Sequence, residues 1–90
     1  MGLPHRRQQL AKFIPFHDLT AKSLAEKLDI SESNVRQLVY GRRYPSPDEV
    51  RALERIFRMP AEVLLDAELL RYRNGPWPPE GRGFRPGYRS

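Results

Sequence analysis

Few side chains in this 90-residue chain could do covalent or metal chemistry. His5 and His17 are its only imidazoles, Cys is absent, and no carboxylate stands at a metal-ligand spacing beside both histidines. We interpret His5 as a solvated terminal residue and His17 as a turn residue. No phosphate-binding loop, nucleophile elbow or dinucleotide fingerprint is present. The sequence therefore predicts no metal site, no cofactor and no enzymatic activity.

Two pairs of acidic residues remain as possible acid–base groups. Asp48 and Glu49 fall in the first turn of a predicted helix, where the helix dipole alone favours negative charge. Glu62 and Asp66 lie one helical turn apart, and we interpret them as part of a solvated face. Neither pair indicates catalysis.

The cationic side chains favour contact with a polyanion. Lys and Arg number 16 against 11 Asp and Glu, which gives a net charge of +5. Such an excess attracts nucleic acid and raises association rates. The alternative is a basic surface that is merely solvated.

Length and hydropathy narrow the class of protein. Ninety residues suit one small domain, and no apolar run approaches the ~20 residues that a membrane span needs. No signal-peptide core is recognisable, and the lack of Cys is compatible with a reducing compartment. We expect a soluble, cytoplasmic and nucleoid-associated protein with no membrane contact.

The elements that must position any binding residue are all helical. Helix-length apolar stripes separated by turn residues predict an all-α body of five helices over 4–73. Pro4 suits the first turn of helix one, which Pro15 should stop. Thr20 and Ser31 suit the N-caps of helices two and three, with Asp29 as the left-handed turn residue between them.

The second half of the body carries equally local signals. Gly41 stands where a left-handed C-cap belongs, and residues 46–49 have the form of a capping box that opens helix four. Helix five begins at Pro60 and ends at Asn74-Gly75. Its leucines span more surface than one core-facing stripe needs, which predicts a homodimer interface at Leu65, Leu69 and Leu70. Alternatively, helix one or the tail covers this face.

Residues 19–31 and 33–46 carry a spaced pattern through helix two, the turn, helix three and a Gly-basic-basic loop. With Arg58-Met59-Pro60 and Leu64, this pattern resembles the Cro/cI-type (XRE-like, lambda-repressor-like) helix-turn-helix family over about residues 8–66. The resemblance implies a five-helix lambda-repressor-like fold that binds double-stranded DNA. It also implies that helix three, from Ser31 to Tyr40, enters the major groove.

Carried over position by position, the resemblance implies that bases are contacted by Glu32, Ser33 and Gln37. It implies flanking or phosphate contacts from Thr20, Lys22, Asn34, Arg36, Arg42, Arg43 and Tyr44. Two positions depart from the family pattern. Ala21 stands where a phosphate-binding Gln is frequent, and Val39 stands where Glu is common. The loss of the contact at Ala21 weakens the expected grip on the DNA backbone, and Glu32 adds a negative charge that costs affinity unless cytosine meets it. The fold is unaffected.

Residues 74–90 form a Gly/Pro-rich tail that we predict to be disordered or extended. Its basic and aromatic residues could stack on bases and neutralise phosphates: Arg82, Phe84, Arg85, Tyr88 and Arg89. Docking on the body or on a protein partner, and a purely solubilising role, are the alternatives.

These features together predict a sequence-specific, homodimeric transcription regulator that represses by occluding a promoter. One alternative is a protein-binding adaptor, such as an antitoxin or an RNA-polymerase-directed factor, that uses helix five or the tail. Another is a phage DNA-packaging or replication protein built on the same module. In those alternatives, helix three would serve only as a packing or partner-binding surface.

Overall fold

The computed structural model describes residues 2–78 as five α-helices followed by a short 3-10 helix. The helices are α1 (Leu10–Phe16), α2 (Ala21–Leu28), α3 (Glu32–Val39), α4 (Pro47–Phe57) and α5 (Ala61–Leu64), and the 3-10 helix covers Ala67–Leu70. No strand occurs in residues 2–78, so the predicted all-α, five-helix class is confirmed. None of these helices has the length and apolarity to cross a membrane.

One hydrophobic core joins the helices. α2 packs against α3 and α4, while α1 packs against α5. Each helix supplies side chains that are almost fully buried, among them Leu10, Leu24, Val35, Leu53, Phe57 and Leu64. Burying each such side chain contributes roughly 1.5–3 kcal/mol, so the core fixes the relative placement of the helices.

The predicted caps of the middle helices are confirmed. Thr20 Oγ1 accepts a hydrogen bond from the Ser23 amide at 3.0 Å, and Ser31 Oγ accepts one from the Asn34 amide at 3.0 Å. Asp29 adopts the left-handed conformation with φ 60°. At α4, Ser46 accepts from the Glu49 amide and Glu49 accepts from the Ser46 amide, which completes the predicted capping box.

The prediction for the start of helix one is wrong. Pro4 does not open a helix, because residues 3–9 run as non-helical chain and α1 begins only at Leu10. The amides of this stretch bond instead to the end of α3. The His5 amide donates to Gly41 O at 3.0 Å, and the Gln8 amide donates to Val39 O at 2.7 Å. Pro15 lies in the last turn, and α1 ends one residue later at Phe16.

The prediction of one long helix five is also wrong. α5 ends at Leu64, because Leu65 and Asp66 are extended, with ψ values of 148° and 153°. This break turns the following leucines inward, and the chain itself buries all three: Leu65 is 2% exposed, Leu69 0% and Leu70 8%. They are therefore not an open dimer face. α1 packs against α5, which precedes these leucines in the chain.

Candidate nucleic-acid interface

The structure forms a helix-turn-helix from α2, Asp29 and α3. Small Ala25 is 4% exposed at the crossing, and its carbonyl accepts from the Ile30 amide at 3.0 Å. Val35 and Leu38 of α3 are fully buried against this support. The remaining face of α3 is polar and reaches solvent, so α3 presents the side chains that could read a partner.

Two predicted contact residues on this face form an ion pair. Arg36 Nη2 lies 2.6 Å from Glu32 Oε2, one turn away along α3, and the two side chains are 59% and 41% exposed. The carboxylate and the guanidinium therefore act as one unit in the absence of a ligand. The i, i+4 spacing of Glu32 and Arg36 is the sequence signal that could have indicated this pairing.

Ser33 and Gln37 occupy the same face without such a restraint. Ser33 is exposed and Gln37 is half-buried, and neither side chain has a hydrogen-bond partner within residues 2–78. Asn34 is also half-buried, and its backbone amide donates to Ser31 Oγ in the cap of α3. Both Ser33 and Gln37 thus have donors and acceptors available for base edges.

The N-terminus of α2 offers a site for a phosphate. Thr20 and Ser23 cap each other reciprocally, so the amides of Ala21 and Lys22 are left as first-turn donors. The Lys22 side chain is exposed and has no carboxylate partner in the described part of the chain. Backbone N–H groups beside an unpaired ammonium suit an anion.

The turn after α3 presents a second cation. Gly41 is left-handed with φ +65°, and exposed Arg42 follows it. The Arg42 guanidinium lies 5.3 Å from the ring centroid of Tyr40, which is 42% exposed. The sequence analysis did not single out Tyr40, although its place one turn after Gln37 puts it at the end of the same face.

Arg43 contradicts its prediction as a phosphate contact. Its side chain is only 15% exposed, and Nη2 donates to both carboxylate oxygens of Glu49 at 3.0 and 3.1 Å. Nη1 donates to Tyr44 O at 3.0 Å. The guanidinium is therefore held inside the fold, where it fastens the loop after α3 to the capping box of α4.

Tyr44 and the C-terminal segment meet beside this loop. The half-buried Tyr44 ring packs edge to face on Tyr72, with ring centroids 4.9 Å apart. Arg73 then pairs with Glu54 at 3.1 Å and Glu62 at 2.6 Å. These contacts hold residues 72–73 close to the loop that carries Arg42. The tail candidates Arg82, Phe84, Arg85, Tyr88 and Arg89 lie outside the described residues.

The capped α2, the left-handed turn and the outward polar face of α3 define a helix-turn-helix protein. A family model described as helix-turn-helix matches residues 17–64, more than half of the chain. The chain therefore belongs to this Cro/cI-type helix-turn-helix family, a DNA-binding and typically non-enzymatic one. No curated protein and no solved structure matches the chain.

Proposed function

We propose that this protein is a sequence-specific transcription regulator that represses by occupying operator DNA within a promoter. The observation that carries the proposal is the outward face of α3, on which Ser33 and Gln37 have no partner within residues 2–78. The N-terminus of α2, which suits an anion, precedes this face in the chain. Arg42, which has no carboxylate partner within residues 2–78, follows it. Family membership supplies DNA as the partner.

Base reading is assigned to the side chains in the middle of α3. Gln37 can bond bidentately to an adenine, donating to N7 and accepting from the N6 amino group. Arg36 can donate to N7 and O6 of a guanine, with Glu32 holding the guanidinium in place. Glu32 can alternatively accept from cytosine N4, and Ser33 can bond to either kind of base edge.

Phosphate contacts are assigned to the two ends of the motif. The first amides of α2 with Thr20 and Lys22 would hold one phosphate, and Arg42 with its Tyr40 neighbour would hold another. Asn34 flanks the base-reading residues. Such contacts fix the register of the protein on the duplex without reading sequence.

Two copies of the chain are proposed to bind each operator. α3 has eight residues and is therefore about 12 Å long, which spans only about four base pairs. Two half-sites about one helical turn apart would give the protein a site long enough to be specific. Since Leu65, Leu69 and Leu70 are buried in the core, the contact between copies must use another surface.

The tail is proposed to follow the DNA backbone. Tyr72 touches Tyr44, two residues after Arg42, so the chain approaches its tail beside the proposed phosphate contact. The twelve residues from 79 to 90 could reach about 40 Å at full extension, enough for neighbouring phosphates. Three arginines and two aromatic residues suit that contact.

Changing Arg82, Arg85 and Arg89 to Gln together tests the tail. The slope of log affinity against log salt should become shallower by about 2–3. The matched variant Phe84→Ala/Tyr88→Ala keeps the charge and should leave that slope unchanged. An unaltered slope in the arginine variant would remove the tail from the electrostatic contact.

Selection from a randomised duplex library at near-physiological salt tests the regulator itself. We expect enrichment of a two-fold symmetric site, and sequencing of the bound pool measures it. A single asymmetric half-site would contradict the two-copy proposal. Binding that shows no enrichment and fades with salt would contradict sequence reading and favour an adaptor role.

Gln37→Ala tests the register of α3. The change should weaken binding by about 1–3 kcal/mol at one base position and relax specificity there. Gln9→Ala is the matched control, because Gln9 is an exposed Gln at the start of α1 that makes no capping bond. Equal weakening on every duplex would mean that Gln37 does not read a base.

A further inference from the structure

The geometry points to Gln8 as a positioning residue for DNA recognition, an inference that rests on the proposed function. Gln8 is 3% exposed and is the one polar residue of the described chain that is buried as a whole. None of its hydrogen bonds goes to α2 or to a side chain on the outward face of α3. Its bonds instead connect the N-terminal segment, residues 3–8, with the end of α3 and with the break after α5.

The N-terminal segment donates hydrogen bonds to carbonyl groups at and just after the C-terminal end of α3. A helix ends with carbonyls that have no partner inside it. The Gln8 amide donates to Val39 O at 2.7 Å, and the His5 amide donates to Gly41 O at 3.0 Å. The segment therefore acts as a cap for the C-terminal end of α3.

Gly41 permits this close approach. A Cβ atom at Gly41 would lie 2.9 Å from Arg6 O, 3.0 Å from Pro4 Cγ and 3.2 Å from Arg6 N. Two of these three atoms belong to backbone, which cannot swing away as the end of a flexible side chain can. The absence of a side chain at Gly41 is thus required by the N-terminal segment as well as by its positive φ.

The Gln8 side chain fixes the segment from the other side. Its Nε2 donates to Arg6 O at 3.0 Å and to Asp66 Oδ2 at 2.9 Å, and its Oε1 accepts from the Asp66 amide at 2.6 Å. Arg6 reinforces the link, since its Nε lies 2.8 Å from Asp66 Oδ2. One buried residue thereby links the end of α3, through its backbone amide, to Asp66, through its side-chain amide.

The two ends of α3 are consequently held by different means. Ser31 caps the N-terminal end within α3's own sequence, independently of Gln8. The C-terminal end, which carries Tyr40 and leads to Arg42, has local bonds from the Gly41 amide to Leu38 O at 3.0 Å and from the Arg42 amide to Gln37 O at 2.8 Å, and only this end is held in addition by the N-terminal segment. Loss of the Gln8 side-chain amide should therefore displace Tyr40 and Arg42, while Ser33 keeps its place.

Gln8→Leu tests this assignment, with Gln9→Leu as the neighbouring exposed control. We expect affinity for the selected site to fall about tenfold, as loss of buried hydrogen bonds implies. The salt slope should fall by about one as Arg42 is displaced. Amide exchange at Tyr40–Arg42 should quicken, while exchange in α2 and base preference at the Ser33 end stay unchanged.

The double variant Gln8→Glu/Asp66→Asn exchanges donor and acceptor across the same contact. It restores the bond between the two side chains but not the bond from residue 8 to Arg6 O, so it should recover part of the affinity that Gln8→Leu loses. Asp66→Asn alone keeps the bond from the residue 66 amide to Gln8 Oε1. It provides a milder variant should Gln8→Leu not fold, and its affinity should fall by less than that of Gln8→Leu.

Faster exchange at Tyr40–Arg42 in Gln8→Leu with undiminished affinity would overturn the positioning role. Uniformly faster exchange across all helices would do the same, since Gln8 would then only stabilise the fold. If the unaltered protein binds no duplex, the proposed function fails and this inference fails with it. Amide exchange at Tyr40–Arg42 separates this failure from a failure of the Gln8 assignment. It reports the effect of Gln8 on the end of α3 in the absence of DNA.

Discussion

Two Arg–Glu pairs flank Gly41, and they differ in exposure. Arg36 and Glu32, on the outward face of α3, are 59% and 41% exposed. Arg43 and Glu49, which join the following loop to α4, are 15% and 14% exposed. An exposed pair contributes about 0–1 kcal/mol to stability, whereas breaking a buried pair costs about 3–5 kcal/mol.

The difference separates an arginine that reaches solvent from one that holds the fold. Arg36 lies on α3 and Arg43 lies in the Gly-basic-basic loop that follows it. The family resemblance implied a DNA contact for both. Only Arg36 remains accessible, because Glu49 is already fixed by the α4 capping box and accepts two bonds from Arg43. Whether the glutamate partner is exposed, as Glu32 is, or held inside the fold, as Glu49 is, decides which arginine can contact a ligand. The distance of the arginine from α3 does not decide it.

Replacing Arg43 with Met should have the largest effect on stability. We expect a loss of about 3 kcal/mol, because Glu49 would be left largely buried without its cation. Urea unfolding of Arg43→Met and Arg36→Met measures the difference, and Arg36→Met should lose less than about 1 kcal/mol. Equal losses in the two variants would erase the distinction between the pairs.

Gly41→Ala should rank second. The left-handed backbone costs about 1–2 kcal/mol for a residue with a side chain, and contact with the N-terminal segment adds to it. Gly75→Ala is the matched control, with φ +80° but its nearest atom at 3.6 Å. If thermal unfolding shows the same loss for both glycines, the N-terminal segment does not constrain Gly41.

Glu32→Gln should change stability by less than about 1 kcal/mol but should alter DNA binding. Arg36 released from its partner can neutralise a phosphate, so affinity for all duplexes should rise and the salt slope should steepen by about one. Glu26→Gln, at an exposed position on α2, controls for the change in net charge. Weaker binding confined to sites with one cytosine would instead identify Glu32 as a base reader.

The Arg73–Glu62 pair should give the smallest effect, visible only in acid. A backbone hydrogen bond and the Arg73 guanidinium at 2.6 Å hold the pKa of the Glu62 carboxyl below its usual 4.5. A lowered folded pKa stabilises the protein above about pH 4.5, and this contribution disappears as the pH falls through the folded value. Glu62→Gln should therefore flatten the acid side of the stability profile.

Unfolding experiments between pH 3 and about pH 6 measure this, with Glu26→Gln as control. Glu26 is exposed and has no cation partner within residues 2–78, so its variant removes one carboxylate without breaking an ion pair. An identical slope in Glu62→Gln and the unaltered protein would contradict the assignment.

The predictable part of the fold was the part with local causes. Thr20, Ser31 and Ser46 each cap a backbone amide three residues away, so the relevant partners lie within one short segment. Asp29 and Gly41 follow the same logic as left-handed residues at helix ends. Ser33 and Gln37 could be assigned to the outward face because their buried neighbours repeat with the helical period.

Features with distant causes escaped prediction. The break after α5 depends on the Asp66 amide meeting Gln8, 58 positions away in the sequence. The burial of Arg43 depends on the placement of α4 against the preceding loop. Periodicity and capping rules contain neither contact. The predicted helix one and helix five are therefore too long, and the prediction of Arg43 as a phosphate contact is wrong.

The Gln8–Asp66 contact has a consequence for the order in which the chain is made. Gln8 is synthesised early, and its partner Asp66 follows 58 residues later. The residues of α3 are therefore all synthesised before the Gln8–Asp66 contact can help to hold its C-terminal end. Contacts so distant in sequence form late, after local helical turns. The family-matched segment 17–64 contains neither residue. A growing chain thus contains all residues of α3 before the Gln8–Asp66 contact can form.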